Sequence, residues 1–207
     1  MLSVSIEYLQ PIYEIKALTQ SPDYDEESDN IESLIMDICE FLSDTQMIGF
    51  RVSGCGESAW TVDAGTDLAT VIPQIPDVLS ALHRSENTSI QFYEQGIRRE
   101  LFFSCNNSRA EVICKYLDED KTMPIKEIAG LSEIITMLTE FLVFFIRLSK
   151  IACPAIADHR IFRDWLKEVF YLIENTEIYE TDTLNRAIWT KFEQIQTISP
   201  KDYGLSL

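Results

Sequence analysis

Two histidines, His83 and His159, and five cysteines, Cys39, Cys55, Cys105, Cys114 and Cys153, are all this 207-residue chain offers for metal or thiol chemistry. Neither histidine stands in H-E-x-x-H or another ligand spacing, and no C-x-x-C pair occurs. Both histidines fall at expected helix ends or loops, where surface or capping roles suffice. Cys105 and Cys114 lie near opposite ends of neighbouring expected strands, within reach of each other if the sheet aligns them. Cys55, between Gly54 and Gly56 in an expected turn, is the thiol expected to be exposed, though no flanking base activates it. Asp23, Asp25, Glu27 and Asp29 alternate like the early ligands of a calcium loop. The turn position then holds Ser28 instead of glycine and the twelfth position Leu34 instead of glutamate, so the motif fails. No phosphate-binding glycine loop and no G-x-S-x-G nucleophile elbow is present. The residue inventory points to a protein that is not an enzyme and needs neither metal nor cofactor.

The elements that position these residues follow from periodicity. Residues 2–9 alternate as a strand, and Ile12–Leu18 continues it in extended form after Pro11. The polar run 21–30 is a loop, with Asp29 or Asn30 as the cap of a helix whose apolar stripe is Ile31, Leu34, Ile35, Ile38, Phe41 and Leu42. Met47–Ser53 and Ala59–Asp63 flank the two glycines as a hairpin. A helix opens at Thr66 or Asp67 and must kink, or split into a short and a longer helix, at Pro73 and Pro76. Ser89–Glu94, Arg99–Ser104 and Ala110–Tyr116 form an antiparallel meander with turns at 95–98 and 106–109.

After Pro124 no strand is expected. Leu131–Leu148 is apolar nearly all round and should be central; a second, amphipathic stripe runs from Ile161 to Ile173; a third joins Leu184, Ile188, Phe192 and Ile195. The fold class is therefore α+β: a mainly antiparallel sheet with two helices in residues 1–122, and a three-helix subdomain in 123–207 packed on it as one cooperative unit. The N-terminus lacks a signal-peptide pattern, and the greasiest stretch, Phe141–Ile146, falls far short of the ~20 apolar residues of a membrane span. With unpaired, odd-numbered cysteines, the expected location is the cytoplasm.

Charge is the strongest functional signal. Lys and Arg total 17 against 34 Asp and Glu, a net charge of −17. Residues 1–50 hold eleven carboxylates against Lys16 alone. Such a surface repels nucleic acid and anionic membrane, and it steers a basic protein partner towards it.

The stretches Trp60–Leu68, Ile75–Leu79 and Ile90–Phe103 give residues 47–117 a texture that resembles the acidic bacterial immunity proteins of polymorphic and contact-dependent toxin systems. That resemblance implies a cytoplasmic inhibitor that binds a cognate toxin, a nuclease with a basic cleft being the expected kind, and it assigns no individual residue. From charge alone, the expected binding residues are Asp23, Asp25, Glu26, Glu27 and Asp29, with Tyr24 as an embedded aromatic anchor. The competing expectation is an adaptor or regulatory subunit that binds a protein through an apolar patch on its helical third.

Overall fold

The computed structural model describes residues 2–10, 17–20, 22–25, 27–93, 98–117 and 124–174. The third helical stripe at 184–195, most of the extension at 12–18, most of the 95–98 turn and Glu26 lie outside the described residues. What is described is an α+β fold with two antiparallel sheets instead of one.

The smaller sheet is a two-stranded ribbon of β1 (Ser3–Tyr8) and β2 (Ile48–Ser53), in register from Ser3 opposite Ser53 to Tyr8 opposite Ile48. Between them in the chain lies α1 (Ile31–Asp44). Asn30 starts this helix by accepting the Ser33 N–H at 3.1 Å, the N-cap interaction anticipated at position 29 or 30. Its inner stripe of Leu34, Ile35, Ile38, Cys39 and Leu42 is buried.

The expected hairpin after β2 does not form. Gly54 and Glu57 close a tight turn on each other through reciprocal backbone bonds, and thereafter only the Trp60 N–H returns to β2, at 2.8 Å from the Val52 carbonyl. The sequence Ala59–Asp63 gives up a ladder because its two strongest anchors pull away from one. Trp60 turns into the core against Phe92, and the Asp63 carboxylate accepts the N–H groups of Gly65 and Thr66 in an Asx turn. The two-proline helix behaves as its sequence requires: α2 (Asp67–Val71), one 3₁₀ turn at Ile72–Gln74, then α3 (Ile75–His83).

The larger sheet is a meander in the order β3 (Thr88–Phe92), β4 (Arg99–Asn106), β5 (Arg109–Tyr116) and β6 (Ile125–Gly130). Its last strand contradicts the expectation that none follows Pro124. This strand is hard to see in sequence because it is an edge: Ile125, Lys126 and Ile128 are exposed, it pairs on one side only, and it ends in Ala-Gly. The sheet thus continues past residue 122. Alternation sends Ile90, Phe92, Leu101, Phe103, Ala110, Val112 and Cys114 inward and leaves Gln91, Glu100, Glu111 and Lys115 towards solvent. The β3 edge is closed by Gln74, whose side-chain amide exchanges two 2.9 Å hydrogen bonds with the backbone of Gln91.

Helix α4 (Leu131–Ala152) explains its own apolarity by its position. It contacts the ribbon on one side, with Phe141 stacked on Phe50 and Phe144 tilted against Tyr8, and meets α3, β5 and β6 on others. A helix flanked by both sheets has little surface left for water, which is why nearly every turn is buried. At its start the Glu133 carboxylate accepts the Gly130 N–H at 3.1 Å. The short α5 (Pro154–Ala157) then leads to the amphipathic α6 (Arg160–Glu174), which lies against α1 and α3. One continuous core joins the ribbon, both sets of helices and the inner face of the larger sheet. Among the described residues no helix is long and apolar enough to cross a membrane.

Candidate functional site

The acidic loop is ordered largely by its own acids. Asp25 Oδ1 accepts the Glu27 N–H at 3.0 Å, Asp29 Oδ2 accepts the Asp25 N–H at 2.8 Å, and the Asp25 carbonyl accepts the N–H groups of Ser28 and Asp29. Asp23, Asp25 and Glu27 are exposed, and Asp29 is half-buried. Tyr24 does not stand out as an anchor for a partner. It is half-buried, its hydroxyl donates to Asp37 Oδ2 at 2.7 Å, and its ring tilts against His159 with centroids 5.1 Å apart. Burial first, and the Asp37 carboxylate second, hold its phenol well above the ordinary tyrosine range. Tyr24 therefore pins the loop onto α1 and the start of α6.

The loop continues into a feature that charge counting along the chain passes over. Glu32, Met36, Glu40 and Asp44 stand four residues apart, so they share one ridge of α1, and all four are exposed. No lysine or arginine occurs between Ala17 and Phe50, and the last turn of the helix holds no cation. Like charges at i and i+4 disfavour a helix, and anions at its C-terminus oppose the macrodipole, each by a few tenths of a kcal/mol. Glu40 and Asp44 thus stand against the local preference of the helix that carries them, whereas Glu32 in its first turn suits the dipole. The signal was present in the sequence as the i+4 spacing of the acids.

A second polar cluster sits where the turn after β2 meets the larger sheet. The Arg99 guanidinium lies between the rings of Trp60 and Tyr116, 4.6 and 4.4 Å from their centroids, and pairs with Glu57 at 3.0 Å. Tyr116 donates its hydroxyl to the same Glu57 carboxylate, which raises the tyrosine above its ordinary range. Arg99 Nη1 is buried with no hydrogen-bond acceptor among the described residues; the two π faces supply its electrostatic partner instead. Glu127 of β6 accepts the Cys55 N–H at 2.6 Å. Glu57 and Tyr116 are half-buried, and the cluster is a clasp between the turn and the strands.

Of the thiols, Cys55 is not exposed as expected but 1% accessible, because its turn is pressed against Leu2 at the start of β1 and held by Glu127 on the Cys55 N–H. Cys105 sits opposite Ala110 and Cys114 opposite Leu101, so four positions of strand separate the pair that the sequence brings near each other. Burial raises Cys39 well above its ordinary value and pushes Cys153 up to about 12, which leaves both as inert thiols. His83 ends α3 half-buried, and burial lowers its pKa; His159 Nδ1 accepts the Ile161 N–H at 3.4 Å near the start of α6. No group of His, Cys, Asp and Glu that could hold a metal ion occurs among the described residues.

No family model, curated protein or solved structure matches this chain. The geometry offers an exposed acidic surface of loop plus helix ridge.

Proposed function

We propose that this protein is a non-enzymatic, cytoplasmic inhibitor of the immunity type, which neutralises a cognate bacterial toxin by laying its acidic surface into a basic cleft, a nuclease cleft being the natural match. The observation that carries the reading is the α1 ridge: exposed carboxylates at Glu32, Glu40 and Asp44 with no cation among them, the last two at a spacing and helix end that weaken their own helix. Groups that break a local stability rule without a compensating contact are concentrated where function demands them. Set on a helix instead of a flexible loop, these charges hold a fixed pattern, which favours orientation and on-rate. The loop acids Asp23, Asp25, Glu27 and Asp29 extend that surface, and Glu26 adds a further charge to the same stretch of sequence. Tyr24 contributes by holding the loop in place. The adaptor alternative draws less support, since α6 presents Arg160, Arg163, Asp164, Lys167 and Glu168 outward with Tyr171 its one exposed large hydrophobic among the described residues, and Ile125 and Ile128 are exposed apart from it on β6.

The test is co-expression with the C-terminal domain of a large toxin-bearing gene next to this one, followed by association kinetics between the purified pair. Protection is expected, and reversing Glu32, Glu40 and Asp44 to lysine should slow association by tenfold or more at low salt with a smaller effect at high salt. An association rate that is indifferent to reversal of both ridge and loop removes the acidic surface from the mechanism. If no neighbouring toxin domain is neutralised, the immunity reading itself fails.

A further inference from the structure

The larger sheet treats its two edges differently. Its β3 edge is closed by the Gln74 amide, whereas β6 pairs with β5 on one side and meets no strand on the other among the described residues. The ladder fixes where the free backbone groups of β6 point. One step past the Arg109–Gly130 pair, the Leu131 N–H donates to the Ser108 carbonyl at 2.9 Å. Bonding positions alternate along an antiparallel ladder, so Ala129, Glu127 and Ile125 bond towards β5, and the N–H and C=O groups of Lys126 and Ile128 point away from it. Gly130 agrees, since its N–H lies on that outer side and is taken by the exposed Glu133 carboxylate at 3.1 Å. Edges are commonly blunted by a proline, a bulge or an outstanding charge. Strand β6 contains no proline, and its six pairs run without interruption. Its one lysine, Lys126, pairs back onto Glu111 at 3.2 Å, and Glu127 is turned to the Cys55 N–H. Ile128 is 69% exposed, more than any other large hydrophobic among the described residues.

We propose that β6 pairs antiparallel with β6 of a second copy of this chain, about a two-fold axis through Ile128, so that the two larger sheets become one. The side chains choose the axis. An axis through Lys126 sets two ammonium groups opposite each other, and one through Glu127 sets two carboxylates, both unfavourable. An axis through Ile128 sets isoleucine against isoleucine on the solvent face of the sheet, and the two residues exchange both backbone hydrogen bonds. The same register places Lys126 opposite Gly130 of the second copy. The Gly130 N–H carries the Glu133 carboxylate, so a cation meets an anion at each end of the ladder.

The pairing uses none of the acidic surface, because α1 packs on α2, α6 and β2, whereas β6 contacts β5 and α4. The dimer is therefore independent of any toxin. With a net charge of −17 on each copy, overall repulsion opposes association and salt screens it. The exposed Lys126–Glu133 attraction is worth too little to reverse that sign. Salt should thus tighten the dimer, the opposite of its effect on a basic partner.

The experiment is sedimentation velocity of the full-length protein from about 1 to 200 µM at low and high salt. The expected result is a monomer–dimer equilibrium with Kd on the order of 10 µM, as suits a small interface, tightening several-fold as salt rises. Ile128→Lys should abolish the dimer while circular dichroism and melting stay unchanged, since the side chain lies at the surface. In Ile128→Cys, mild oxidation should link two copies through residue 128, because the Cα atoms of a hydrogen-bonded antiparallel pair stand about 5.5 Å apart, within disulfide reach. In Lys126→Cys the two copies of residue 126 lie four positions off register, roughly 13 Å apart, and should not link. The cross-link is mapped by peptide analysis without reduction, so a folding failure of Ile128→Lys does not remove the test. A protein that stays monomeric throughout overturns the proposal and leaves the edge to a different chain. A dimer that Ile128→Lys leaves intact and folded, or a 126–126 link that forms ahead of 128–128, overturns it as well.

Discussion

The larger sheet and the N-terminal acidic region handle carboxylates in opposite ways. On the sheet, carboxylates meet cations across strands, Glu100 with Lys115 at 3.0 Å and Glu111 with Lys126 at 3.2 Å, and Arg99 of β4 takes Glu57 from the turn after β2. Around α1 the acids bind their own backbone, as Asp25 and Asp29 do, or face water along the ridge with no lysine or arginine in that stretch. The first arrangement neutralises charge within the molecule, and the second leaves a field that extends outside it. The net charge of −17 is therefore not spread evenly: residues 21–44, the loop and one helix, hold nine carboxylates and no lysine or arginine.

The paired side of this contrast breaks most severely at Arg99. Arg99→Ala leaves Glu57 and two ring faces without their cation and should cost about 2 kcal/mol in urea unfolding. Arg99→Lys should recover little of it, since an ammonium cannot lie flat between two rings. A loss below half a kcal/mol would show the clasp to be incidental. Next comes the cap that launches the acidic helix. Asn30→Ala removes the acceptor for the Ser33 N–H and should destabilise by about 1 kcal/mol, with Asn30→Asp close to neutral.

A smaller effect is expected at Asp63, where burial raises the carboxyl pKa but hydrogen bonds from the Thr66 side chain, then the Thr66 and Gly65 backbones, outweigh it and leave the net value lowered. A depressed folded pKa contributes stability above the ordinary carboxylate value and loses it as pH falls through the folded one. Asp63→Asn should therefore lose that increment at neutrality and flatten the acid limb of the stability curve below about pH 4, where the two proteins converge. An unchanged acid limb would remove Asp63 from the account. The smallest change sharpens the contrast instead of breaking it: Glu40→Lys with Asp44→Lys should leave stability unchanged or raise it by up to about 0.5 kcal/mol, because both relieve repulsion and complement the helix dipole. Clear destabilisation would mean that the ridge has a structural task, and the functional argument drawn from it would fall.

Much of this architecture follows from patterns local in the chain. Alternation at Leu101–Phe103 and Ala110–Cys114 dictates the β4–β5 pairing, Pro73 and Pro76 divide α2 from α3, and Asn30 ahead of an apolar stripe starts α1. These depend on pleat, ring geometry and capping within a few residues. The missed features depend on distant partners. Strand β6 exists because β5 offers it an edge, and Ala59–Asp63 fails as a strand because Trp60 finds Phe92 and Arg99. Cys55 is buried because its turn packs against Leu2 of the N-terminal strand region and binds Glu127 of β6.

For the acidic surface, composition and order along the chain determine that residues 17–50 carry negative charge alone and that Glu32, Glu40 and Asp44 share a helix face. Only the folded molecule decides which of those acids remain available. Tyr24 takes Asp37, the loop backbone takes part of Asp25 and Asp29, and the outer line of α1 is left to solvent. The reason is physical: periodicity assigns a side chain to a face, but burial and hydrogen bonding are set by whatever the fold brings against that face.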